Sequence, residues 1–212
     1  AVSDPAANNS YMYFWHQTDG RRGQIEIASI IYKHVTGHFT PLEPGQTRKL
    51  NFWSDRCFAQ NNNYQIVALF KYLTLMRYFT EVHQKFLVTG HSFLPCDRDF
   101  AVIERYAKYK KASIAVPSEW MKVIANCRPQ SPFSIVKLTY QDFLDFEILK
   151  TRLPKPDSLK VTQFHVISSD ITRPNLYFTK RTHDDQNPTL HNIIQTGNFS
   201  LTSLANLRFP PA

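Results

Sequence analysis

Cysteine is scarce: Cys57, Cys96 and Cys127 are odd in number, and no two of them stand in a C-x-x-C pair. That excludes a locally written disulfide framework or zinc knuckle and points to a reducing compartment. Long apolar runs are missing too. No stretch approaches the roughly 18 residues of a membrane span, and the opening AVSDPAANNS has neither the basic nor the apolar part of a signal peptide. No membrane partner is expected, and the location expected is nuclear or cytoplasmic. Acidic residues are in deficit: 17 Asp and Glu stand against 25 Lys and Arg, a net charge of +8. Basic surface attracts phosphate whatever its sequence, so nucleic acid, DNA or RNA, is the partner the charge suggests. Repeats and low-complexity tracts are absent. Apolar and aromatic residues are plentiful: 42% hydrophobic and 14% aromatic over 212 residues suffice for a full core.

Read in order, YMYFWHQ is strand-like and ends at the turn residues Asp19 and Gly20. In RRGQIEIASIIYKHVTG, Ile25, Ala28, Tyr32 and Val35 recur at helical spacing, with Glu26 and Lys33 off the stripe and Gly37 as a stop. RKLNFWSD reads as an inner strand, apolar at its centre. NNNYQIVALFKYLTLMRYF carries Ile66, Leu69, Phe70, Leu73 and Met76 at helical spacing behind a cap at Asn62 or Asn63. A third strand is expected at Phe86–Thr89, broken by Gly90, and a third helix in DRDFAVIERYAKYKK, starting at Asp97. The alternation predicts an α/β fold, a mixed sheet flanked by helices.

Beyond Ala112 the expectation is a short strand, a helix capped by Ser118, a strand at Ser134–Leu138 followed by a short helical segment within PFSIVKLTYQDFLDF, and strands in VTQFHVISSD and NLYFTKR. An irregular tail follows Arg181. The division expected is a core over residues 1–150 and an extension over 151–212.

The stretch LNFWSDRCFAQNNN ends an apolar strand on Asp55 and follows it with amides. A half-buried carboxylate needs a partner there, a metal ion or a helix N-terminus. Carboxyl ends of neighbouring strands in such a sheet converge on one crevice. Asp55 ends one strand, the next delivers His91 and Asp97, and Glu26 can point to the same rim. Three carboxylates at one rim repel unless a cation binds, and oxygen donors favour Mg²⁺ or Mn²⁺. Two such ions about 3.5–4 Å apart would serve an in-line displacement at a phosphodiester. The plain alternatives are a capping aspartate at Asp55 or Asp97, a solvated Glu26 paired with Arg22, and a loop-bonded His91.

RGQIEIAS, LNFWSD and VTGHSFLPCDRD, in this order, resemble the ribonuclease H superfamily. More closely, YFWHQ with RRGQIEIAS, WSDRCFAQNNN, KFLVTGHSFLPCDRDFAVIE and VPSEW resemble the transposase or integrase-type core of poorly characterised animal transposon-derived proteins, over roughly Tyr11–Phe146. The resemblance implies Glu26, Asp55 and Asp97 as metal ligands, with Asp99 and Glu104 as second choices, and His91 as a mobile proton shuttle or product-release aid. Gln60, Asn61 and Asn62 would contact nucleic acid through their amides. Lys108, Lys110 and Lys111, with Lys180 and Arg181, would track phosphates, and Tyr106 and Tyr109 would stack.

The superfamily's first aspartate, on an opening strand, has no counterpart here: Asp4 lies in AVSDPAANN and Asp19 at a turn. Two readings follow, a divalent-metal nuclease core and a catalytically inactive module for nucleic-acid binding or protein interaction. A carboxylate on the strand beside Asp55 would favour the first. A missing strand would also leave a sheet edge for the extension, a second copy or a protein partner to cover. A third reading, a structural protein assembling through its hydrophobic tail, predicts a dimer without salt-sensitive nucleic-acid affinity.

Overall fold

The computed structural model of the chain describes residues 1–4, 9–88, 93–111, 114, 116–193, 204 and 207–212. Its elements are β1 (Val2–Asp4), β2 (Asn9–Phe14), α1 (Gln24–His38), β3 (Lys49–Ser54), α2 (Tyr64–Leu75), β4 (Glu81–Phe86), α3 (Pro95–Tyr109), α4 (Pro117–Asn126), β5 (Ser134–Lys137), α5 (Ile148–Arg152), β6 (Val166–Asp170), β7 (Leu176–Lys180) and β8 (Thr189–Asn192). The fold is mixed α/β, and its packing divides it into two units, residues 1–21 with 93–141 and residues 22–92 with 142–212. No described helix is long and apolar enough to cross a membrane.

The first unit holds a three-stranded sheet in the order β1-β2-β5. β1 and β2 are antiparallel, and β2 and β5 are parallel. Its core is small: Met12 from β2, Ile103 from α3, Val123 and Ile124 from α4, and Phe133. Both helices open on a proline at the first helical position, where the missing N–H costs nothing. They therefore start earlier than expected. α3 begins at Pro95 with Asp97 in its third position, and α4 at Pro117 with Ser118 inside it. Most of the short strand expected before α4 lies outside the described residues.

The second unit is built on a five-stranded sheet in the order β3-β4-β6-β7-β8, with β3 and β4 parallel and each later pair antiparallel. Three of its five strands come from the segment after residue 151. β2 is not in this sheet, so the single alternating sheet expected from the sequence is two sheets. β3, expected as an inner strand, stands at an edge. β4 runs over Glu81–Phe86 instead of starting at Phe86. Thr89 and Gly90 lie outside the described residues.

Every residue of α2 is buried, so this helix is enclosed all round instead of amphipathic. It packs against α1, α5, β4 and β6, and its first turn is capped by Asn63, whose side chain accepts from the Ile66 N–H at 3.2 Å. Enclosing α2 requires partners for its polar groups. Gln65 donates to the Phe146 carbonyl at 2.6 Å, and Tyr64 to the Leu153 carbonyl at 2.7 Å. Lys71 donates to the carbonyls of Leu176 and Arg173 at 2.9 and 3.2 Å. Burial lowers the Lys71 pKa to about 8.

The region after Arg181, expected to be irregular, contains β8. At the end of the chain Phe209 lies against Phe146, with ring centroids 4.5 Å apart, and against Tyr32 and Tyr72. The apolar end thus lies on its own core.

Candidate functional site

Glu26, Asp55, Asp97 and Asp99, singled out in the sequence, each have a hydrogen-bonding role inside the fold. Glu26 is the third residue of α1 and is buried, not off the core stripe as expected. Its Oε2 accepts from the Gly23 N–H at 3.0 Å, and a Cβ on Gly23 would stand only 3.2 Å from that oxygen. Asp97 does the same for α3, accepting from the Leu94 N–H at 2.8 Å. Both are the acidic half of a capping box, which satisfies a free N–H at a helix start.

Asp99 is buried and accepts from the Ser10 and Ser3 hydroxyls at 2.6 and 3.0 Å, with the Arg128 guanidinium 3.5 Å from its other oxygen. It ties α3 to β1 and β2. Asp55, exposed just past β3, uses Oδ1 to accept from the Asn61 amide at 2.7 Å and the Cys57 N–H at 3.3 Å, closing the loop that follows.

Glu26 and Asp55 belong to the second unit, Asp97 and Asp99 to the first. Within either unit, among the described residues, no group of three or more His, Cys, Asp or Glu side chains could hold a metal ion. The described residues of each unit therefore do not fit a two-metal centre, which needs several carboxylates converging on one point. On β4, the strand beside β3, the one carboxylate is Glu81, at the far end of the pair from Asp55 and in contact with Lys49 at 2.8 Å and His83 at 3.2 Å. His91 lies outside the described residues.

Of the other expected contacts, Asn61 is engaged with Asp55, Asn62 is buried, and Gln60 reaches the Arg22 carbonyl at 3.4 Å. Glu104, Lys108, Lys110 and Lys111 are exposed on the first unit. Lys110 lies over the rings of Tyr109 and Tyr106, at 5.4 and 5.9 Å from their centroids.

The second unit gathers a different set of side chains. In a strand successive residues point to opposite faces. The inner face of the large sheet takes Val82, Gln84, Phe86, Ile167, Ser169, Tyr177, Thr179 and His191, all buried. The opposite face is open, and the strand register lays it out in rows. Lys49, Glu81 and Asp170 form one row. Asn51, His83, Ser168, Phe178 and Leu190 form the next, and Trp53, Lys85, Val166 and Lys180 the third. These rows floor an open groove of about 640 Å³, which Arg173 and His183 also line.

Four cationic side chains, Lys49, Lys85, Arg173 and Lys180, face two carboxylates there, Glu81 and Asp170. The carboxylates share the first row, so the third row is cationic throughout its charged positions. Trp53 is 43% exposed. The Lys85 ammonium lies 5.3 Å from the centroid of its ring, and the Arg173 guanidinium 5.3 Å from that of Phe178. His183 lies beside Trp53 at 5.2 Å and is fixed by donating from Nε2 to the Phe86 carbonyl at 2.9 Å. Burial lowers the His83 pKa, which favours the neutral ring, and the ring lies against the Ser168 hydroxyl at 2.8 Å.

The model of a domain of unknown function, DUF7869, matches residues 27–191, more than half of the chain. The chain belongs to the DUF7869 family. No curated protein and no solved structure matches it. The DUF7869 match takes in every residue named on the open face, from Lys49 to Leu190, whereas Glu26 stands one position outside it. Of the groove residues only Lys180 was singled out from the sequence. The signal for those on β3 and β4 was the alternation of polar and apolar residues in KLNFWS and EVHQKF, which marks a half-buried strand with one free face.

Proposed function

We propose that this DUF7869 chain is a nucleic-acid-binding module, without metal-dependent cleavage, whose ligand lies on the open face of the five-stranded sheet. The observation that carries the reading is the set of four cations interleaved with Trp53 and Phe178 in one open groove. Cations held on a rigid sheet neutralise phosphates and release their counterions, and aromatic rings beside them accept bases. The net charge of +8 supplies the long-range attraction.

The test is fluorescence anisotropy with labelled oligonucleotides over a salt series. The wild-type chain should lose affinity steeply as salt rises, and Lys85→Glu with Lys180→Glu should weaken binding at least about tenfold while flattening that slope. Unchanged affinity in the double variant would remove the groove from the reading.

A divalent-metal nuclease is the second reading, and the observation on its side is Asp55 at the carboxyl end of a parallel strand. The capping contacts of Glu26 and Asp97 and the guanidinium beside Asp99 weigh against it. Cleavage of the same oligonucleotides with added Mn²⁺, lost in Asp55→Asn, would reverse the order of the two.

A further inference from the structure

We infer that the open face takes a single strand, DNA or RNA, with one base stacked at Trp53 and another at Phe178, and that the cations now lying on those rings move to the phosphates. The inference rests on the nucleic-acid reading above and adds the form of the ligand. A duplex hides the faces of its bases, so it would use the lysines and leave the rings idle. Trp53, however, is a large apolar group on an outward position of an edge strand, 43% exposed. The open face of an indole is a surface on which a flat group stacks, and each base has a face of that kind.

What covers the rings at present is mobile chemistry. Lys85 and Arg173 reach Trp53 and Phe178 over long flexible stems, and a cation–π contact at an exposed site is weak, about 0.5–1 kcal/mol. A base displacing Lys85 from the indole leaves the ammonium beside the phosphate of the same nucleotide, where the charge gains more. The other flank of the Trp53 site stays fixed, because His183 is anchored to the Phe86 carbonyl.

The register also sets the path. Trp53 and Phe178 are three strands and one row apart, roughly 15 Å by ladder spacing. A site of about four nucleotides, at the small end of such platforms, spans that distance. Glu81 and Asp170 repel phosphates from the first row, so the backbone follows the third, across β3, β4, β6 and β7 past Lys85 and Lys180.

The experiment compares oligo(dT), oligo(U) and a duplex of equal length by anisotropy, and follows tryptophan fluorescence with the full chain. Both single strands should bind about tenfold more tightly than the duplex. Trp53→Ala and Phe178→Ala should each lose about tenfold in single-strand affinity with the salt slope kept, and Trp53→Phe should recover most of the loss. Quenching by oligo(dT) should vanish in Trp53→Phe, leaving the signal of Trp15 and Trp120. Equal binding of duplex and single strand, insensitive to Trp53→Ala but weakened by Lys85→Glu with Lys180→Glu, would overturn this inference and leave the binding reading standing. Binding of neither would overturn both. Preference for one of the two single strands assigns the ligand to RNA or DNA within the inference.

Discussion

On β4, Val82, Gln84 and Phe86 are at most 1% exposed, whereas Glu81, His83 and Lys85, each a neighbour in sequence, line the open groove. The same contrast runs through β3, β6 and β7. One face of the sheet is closed by α2, a helix with no exposed side. The other carries charge and rings and, among the described residues, forms an open groove. Stability and recognition are thus separated by a single residue step along each strand, because side chains alternate with period two. The comparison implies that inward substitutions unfold the second unit without specific effect on ligand, and outward ones change the ligand without unfolding.

The largest expected effect is on the closed face. Phe86→Ala removes a ring that is fully buried and should cost about 3–5 kcal/mol in denaturant unfolding. Lys85→Ala, the adjacent outward position, should stay within about 0.5 kcal/mol. A loss below about 1 kcal/mol for Phe86→Ala would break the comparison.

A second prediction concerns the helix that closes that face. Lys71 is held with a pKa of about 8 against an ordinary 10.5. Below pH 8 both folded and unfolded chains carry the charge, and the folded state bears the whole desolvation cost. Between about 8 and 10.5 the folded state releases its proton first, so stability rises with pH across that window, by roughly 3 kcal/mol at 1.36 kcal/mol per unit. Lys71→Met should abolish the rise. It also leaves the Leu176 and Arg173 carbonyls without their donor, a loss that does not vary with pH. Parallel pH profiles of unfolding for the two proteins would show that the ammonium is not buried in the way described.

The helices α1 to α4 were legible in the sequence because their signals are local, whereas the five-residue α5 is too short to show a period. The stripe in α1 and the Asn63 cap of α2 need only a few neighbouring residues to be read. β4 was misplaced because EVHQKF alternates where an apolar run was sought. β8 was missed because its buried residue is His191, held by Thr179 and Ser158 at 2.8 Å each, so no apolar pattern announces it. The division into two sheets depends on pairings such as β2 with β5, which join residues far apart in the chain. The groove has the same origin. Trp53, Lys85, Phe178 and Lys180 are each visible in a strand-like stretch, but their shared face is fixed by register. The carboxylates were visible as a set and capping was among the readings of Asp97; what the sequence did not show is that Glu26, too, turns back to cap its own helix.

The caps give a smaller, sharper prediction. Asp97→Ala frees the Leu94 N–H at the start of α3 and should cost about 1 kcal/mol, measured by thermal unfolding with and without Mn²⁺. A capping role predicts the same loss in both conditions. A difference that appears only with Mn²⁺ would make Asp97 a ligand.

The smallest expected effect is at Asp55, on the boundary between the two faces, where Ser54 points inward and is buried and Asp55 is exposed. Asn keeps the acceptor that serves the Asn61 amide and the Cys57 N–H, while it removes the charge a metal would require. If the carboxylate only closes the loop, Asp55→Asn stays within about 0.5 kcal/mol of wild type, because an exposed Asp is exchanged for an isostere that makes the same contacts. Its calorimetric titration with Mn²⁺ should then match that of the wild-type chain. Binding heat present in the wild type and absent in the variant would restore the carboxylate as a metal ligand. The open face would then be the platform of a nuclease and not the whole of the function, because a strand held along Lys85 and Lys180 would have a reactive centre at the end of β3.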